Sequence, residues 1–144
     1  MPTLLTDARA AARLAAVDEH ARAENSHDLD RLMDTFGDRP VWDDRSANER
    51  HDARDGVRTY YAELFAGFPD FGFDIEWRHV AADAVILEVT VRGMHTGAWK
   101  GIAPTGRRVE FPVCAVFTFD ETNRIQAETV YFDRMTVLSQ LGVM

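Results

Sequence analysis

Two patterns in the 144 residues predict an α+β fold, with helices first, an antiparallel sheet curved over them and a short helix at the end. Up to Phe68, apolar side chains recur at three- and four-residue spacing, the repeat of an amphipathic helix. From Phe71 the spacing drops to two, the repeat of a strand with one buried face. The length fits one domain, 1–144, large enough to bury a core and still enclose a small pocket.

Each element has a local reason. DARAAARLAAVDEHARAE is rich in strong helix formers, with Leu14 and Val17 three apart on one face. In SHDLDRLMDTFG, Asp28 can cap a second helix, and Leu29, Leu32, Met33 and Phe36 form its stripe, with Gly37 as the stop. PVWDD reads as a short extended piece, and NERHDARD as a solvated charged loop. A third helix starts at Asp55, lines up Val57, Tyr60, Tyr61, Leu64, Phe65 and Phe68, and stops at Pro69.

The strands follow. FDIEWRHV places Phe73, Ile75, Trp77 and His79 on one face. AVILEVTVRGMHTGAW aligns Val85, Leu87, Val89 and Val91 with His95. RRVEFPVCAVFTFD aligns Val109, Phe111, Val113, Ala115, Phe117 and Phe119. The loop between these two strands carries APTG, in which Pro104 and Gly106 suit a type I turn. RIQAETVYFD is the last strand, and RMTVLSQL is a closing helix stopped by Gly142.

Composition narrows the function. A net charge of -8 speaks against nucleic acid and anionic membranes, which need clustered positive charge. No apolar run approaches the ~20 residues of a membrane span, and the N-terminus lacks the pattern of a signal peptide. A single cysteine, Cys114, cannot form an internal disulfide, so the cytoplasm is the expected compartment. The histidines show no metal-ligand spacing, no nucleophile motif is present, and GMHTGAWKG is not a phosphate loop, so neither metal nor cofactor is expected.

HDLDRLMDTF, PVWDD, DGVRTYYAELFAGFPDF, MHTGAWKGIAPTGRRV and YFDRMTVLSQLG together resemble the SnoaL-like polyketide (ester) cyclase family of the nuclear-transport-factor-2-like superfamily. The resemblance implies a cone of helices and strongly curved sheet around a hydrophobic pocket. It also implies cofactor-free acid–base chemistry on a lipophilic carbonyl compound, by aldol cyclisation, isomerisation or dehydration. Fold alone leaves that chemistry open, and a non-catalytic binder of a small lipophilic ligand is the alternative. The pattern departs from the family at the cyclase's catalytic aspartate, which falls on Val130, and its assisting histidine falls near Ala115. Neither residue can transfer a proton.

Other acid–base candidates are therefore needed. His95 shares the greasy face of its strand, and imidazole titrates nearest neutrality. Asp44 shares a face with Trp42 in the region where ketosteroid isomerase carries its base. Glu128 has the parity of Val130, and a carboxyl in an apolar pocket has a raised pKa. Asp133, just before RMTVLSQL, reads as that helix's N-cap rather than as an acid. Trp42, Tyr60, Trp77, Phe117 and Val130 are the expected pocket wall. Pro112, Cys114 and Val116 make the outer face of their strand unusually apolar, which predicts a homodimer through that face.

Overall fold

A computed structural model describes the backbone from residue 4 and the side chains from residue 8, in both cases to residue 144. Readings that fall on the first few residues, among them the lack of a signal peptide, lie outside it. The order is α1 (Leu4–Asn25), α2 (Leu29–Asp34), β1 (Phe36–Asp44), β2 (Glu49–Asp52), α3 (Ala53–Gly67), β3 (Gly72–Val80), β4 (Val85–Met94), β5 (Arg108–Phe119), β6 (Ile125–Tyr131) and α4 (Arg134–Leu141). The helices pack on one face of a six-stranded sheet ordered β2-β1-β6-β5-β4-β3. The class is α+β, as the periodicities predict.

Three local features depart from the sequence reading. The charged stretch before α3 is not a loop: β2 pairs antiparallel with β1, with Trp42 opposite His51. Gly37 does not stop α2, because Thr35 is its C-cap and Gly37 already belongs to β1. β1 then runs parallel to β6, so the sheet is antiparallel everywhere except at this junction.

The third strand holds the most consequential departure. Ile75 pairs with Val89, but Trp77 pairs with Glu88, so one residue of β3 is left unmatched. A bulge of this kind reverses the facing of everything beyond it. Arg78 consequently reaches Asp18 of α1, with Nε donating at 2.9 Å, while Trp77 turns outward and is 65% exposed. Trp77 is therefore not part of the inner wall. His79 follows it to the surface and pairs with Glu88.

The core lies between α1, α3 and the concave sheet face. It holds Val17, Leu32, Phe36, Val57, Tyr61, Leu87, Phe117 and Ile125, all essentially inaccessible. Among the described residues, no helix is long and apolar enough to cross a membrane.

Candidate functional site

The site begins on α1, where Val17, His20, Ala21 and Glu24 follow the i, i+3, i+4, i+7 rhythm of a buried face. Two of these four are ionisable, so the helix carries polar groups into the core. His20 is held edge-on between Phe36 and Phe117, at ring separations of 5.3 and 5.1 Å. Its Nδ1 lies 3.0 Å from the Thr35 hydroxyl, whose own proton goes to the Leu32 carbonyl at 2.7 Å. The hydroxyl can then only accept, so Nδ1 carries a proton and Nε2 is turned toward the acids.

Two carboxyls meet Nε2. Glu24 Oε1 lies 3.4 Å away on the same helix, and Glu128 Oε1 lies 3.3 Å away on β6. Tyr61 of α3 donates its hydroxyl to the same Glu128 oxygen. Burial alone would depress the His20 pKa, but the Glu128 charge and the hydrogen bonds that His20 donates to Glu128 and Glu24 raise it to about 9. Burial pushes the Glu24 carboxyl above its usual range, opposed by its bond to His20. Burial also raises the Tyr61 hydroxyl well above the ordinary phenol value, so it stays a donor. The cluster thus presents an imidazolium shared by two acids, one of which also accepts from a phenol.

These groups form the floor of a cavity of about 90 Å³. Its walls are hydrocarbon and aromatic, including Trp42, Leu64, Leu87, Ala115, Phe117 and Val130. Tyr60 lines it as well, stacked on Trp42 at 3.6 Å between centroids. Depth follows from the register: Glu128 pairs with the buried Phe117, and Val130 with Ala115. Toward the other end of β5, Val113 and Phe111 are only half-buried, as are Phe132 and Phe73 around the mouth. Polarity therefore sits at the closed end and grease at the open one.

The expected site residues divide. Glu128, Trp42, Tyr60, Phe117 and Val130 all line this cavity. Asp44 is buried but outside it: its carboxylate accepts from the Ser46 and Ala47 backbone amides and pairs with Lys100 at 3.4 Å. It ties down the β1–β2 turn. His95 also lies outside the cavity, packed on Phe68 and bonded through Nδ1 to Thr105, which fixes the loop after β4. Burial lowers its pKa, and its Nε2 has no partner among the described residues. Asp133 caps α4 by accepting from the Met135 amide at 3.0 Å, and Gly142 ends that helix in the left-handed region. Trp77 is on the outer face, for the reason given above.

His20, Glu24 and Tyr61 are the members that sequence reasoning did not select as site residues. The signal for the first two was present, since they continue the stripe that Leu14 and Val17 begin. Their three closest ligand atoms, counting Glu128, lie within 4.8 Å of one another, close enough to hold a metal ion. No motif spacing reveals this, because the third ligand comes from the far end of the chain.

A model of the SnoaL-like polyketide cyclase family matches residues 14–141. The chain belongs to that family. No curated protein matches it. Among solved structures it resembles a SnoaL-like candidate polyketide cyclase from Jannaschia sp. CCS1, at 19% identity and a TM-score of 0.84 over 93% of this chain and 94% of that one. IdmH, a candidate polyketide cyclase from Streptomyces antibioticus, is 24% identical with a TM-score of 0.75 over 91% and 99%. AclR, a candidate hydroxylase from Streptomyces galilaeus, is 22% identical with a TM-score of 0.79 over 93% and 87%. At these identities the likeness is one of fold. Against the SnoaL-like pattern, β6 carries hydrocarbon at Val130 and a carboxyl one inward-facing position away, at Glu128.

Proposed function

We propose that the protein is a cofactor-free acid–base enzyme for a small lipophilic carbonyl compound, with Glu128 as base and His20 and Tyr61 as its proton partners. The observation that carries this reading is the His20–Glu128–Tyr61 contact at the floor of an apolar cavity. Glu128 removes a proton from the carbon beside the carbonyl, the C–H electron pair forms a C=C bond, and the carbonyl π pair moves onto the oxygen. The imidazolium of His20 then stabilises the enolate, with Glu24 balancing its charge. Return of the proton to a different carbon gives isomerisation. Loss of a β-hydroxyl, which leaves as water with the proton returned by Glu128, gives dehydration. Attack of the enolate carbon on a second carbonyl, whose oxygen takes that proton, gives an aldol ring. No step requires an oxidant or a metal.

Exchange of α-protons for deuterium in simple cyclic ketones, followed by NMR, tests the reading. Wild type should exceed buffer, and Glu128→Gln should lose about 10²-fold or more, the usual yield of a positioned base. Exchange at buffer rate in wild type, or no loss in the variant, would refute it. A non-catalytic carrier is the second reading, supported by Val130 and Ala115, which put hydrocarbon where the cyclases carry their pair. It expects ligand-dependent melting shifts with no exchange. We place the protein, in either case, in a reducing cytoplasm as a homodimer.

A further inference from the structure

The cavity is graded along its length, and the gradient constrains what enters and how. Its ionisable groups, His20, Glu24 and Glu128, gather at the closed end with the Tyr61 ring beside them, and the half-buried Tyr60 packs on Tyr61 at 5.3 Å between centroids. The Tyr60 hydroxyl has no hydrogen-bond partner among the described residues, and burial holds it in the protonated form. The mouth is lined by Phe73, Phe111, Val113 and Phe132, which offer no side-chain hydrogen bond. A ligand oxygen left at the mouth loses water without gaining a partner, which is unfavourable. Deeper in, it meets the imidazolium charge and phenol hydroxyls that can donate to it.

Size sets the second limit. A dry cavity of ~150 Å³ accommodates one benzene. At about 90 Å³ in all, this cavity is smaller than that, so it has no room for fused rings. A single ring fits only if part of the ligand stays between the mouth side chains. Depth sets the third. The acid–base group stands at Glu128, about 6.6 Å deeper along β6 than the next inward residue, Val130. A reacting carbon in the middle of a fused-ring skeleton cannot come beside it.

From these limits we propose that the substrate class is a monocyclic or chain-terminal ketone that enters carbonyl-first, its alkyl remainder trailing between the mouth phenylalanines. This rests on the acid–base reading for the chemistry but not for the binding pose. Three small probes separate the elements of the claim. 4-Propylcyclohexanone carries its substituent opposite the carbonyl. 2,6-Dimethylcyclohexanone has the same ring with methyls flanking the carbonyl. Propylcyclohexane lacks the oxygen.

Binding is read by quenching of tryptophan fluorescence, since Trp42 and Trp99 line the cavity, and by calorimetry. 4-Propylcyclohexanone should bind at least 10-fold more tightly than either of the others, and Glu128→Gln and Tyr60→Phe should narrow its advantage over propylcyclohexane. Equal binding of the two ketones overturns the carbonyl-first pose, and equal binding of ketone and hydrocarbon overturns the polar floor as a recognition element. No binding of any probe at millimolar concentration overturns the substrate class. Because the wild-type ranking is itself decisive, a variant that fails to fold leaves the test intact. Ranked binding without deuterium exchange would sink the enzyme reading alone, and exchange without ranking would sink this one alone.

Discussion

His20 is a histidine built into a helix face that also carries Val17, Ala21 and Glu24, and its burial is tolerable only because Thr35, Glu24 and Glu128 satisfy both ring nitrogens. A pKa raised from 6.5 to about 9 means the folded state holds this proton more tightly than the unfolded chain. The resulting stability is complete below 6.5 and is lost as the pH climbs through about 9. Melting temperature should therefore fall across that window in wild type, while His20→Gln should show a lower but flatter profile. An identical slope in both proteins would assign the loss to other groups. The same residue shows the limit of reading periodicity alone. The three-four rhythm announces that position 20 faces inward, but it says nothing about which distant acids will meet it. Glu128 could be given an inward facing from its parity with Val130. Asp44 and His95 could not be told apart from it, because an inward facing does not distinguish a cavity wall from a loop anchor.

At the scale of elements, helices and strands follow the local period closely, and the exceptions are features that period cannot encode. The bulge in β3 is set by a pairing mismatch with β4, and the parallel union of β1 with β6 joins segments some eighty residues apart in the chain. The connection from β4 to β5 is another such feature. It leaves the sheet at His95, folds back as a tight hairpin in which Trp99 and Ile102 bond each other, and docks on the end of α3. Docking depends on close backbone approach, since the amides of Thr96 and Gly97 both donate to the Gly67 carbonyl. A side-chain carbon at Gly97 would sit 2.0 Å from the Ala66 carbonyl oxygen, a backbone atom unable to step aside. Gly97→Ala should consequently cost about 1–3 kcal/mol, the range for overpacking. Gly101→Ala, in open space but with a positive φ, should cost less, about 1 kcal/mol. Urea unfolding of the two variants checks the order, and a harmless Gly97→Ala would show that the hairpin is not seated on α3 as described. Because Trp99 of this hairpin lines the cavity, the first variant should also loosen ketone binding.

For the whole molecule, the sheet has a second face that the helices do not cover. Across its centre runs a single row formed by consecutive strand pairings: Trp77 opposite Glu88, Glu88 opposite Cys114, and Cys114 opposite Tyr131. Trp77 and Tyr131 are 65% and 51% exposed at the two ends of that row, with the exposed Pro112 nearby on β5. The bulge that removes Trp77 from the cavity thus delivers it to this surface. Two large aromatics on an open sheet face are costly to leave in water and are enriched where proteins associate. A face carrying both ends of one row can meet its own copy about a two-fold axis, each Trp77 approaching the opposite copy's sheet, which is the closed symmetry most homo-oligomers adopt. Edge pairing through β3 is the less suitable route, since that strand exposes Asp74, Glu76, Arg78 and His79. We therefore expect a dimer at micromolar concentration by light scattering, and a shift to monomer in Trp77→Glu combined with Tyr131→Glu. Neither residue lines the cavity, so that monomer should still rank the ketone probes as wild type does. A wild-type monomer would remove the dimer, and a double variant that stays dimeric would move the contact to another surface.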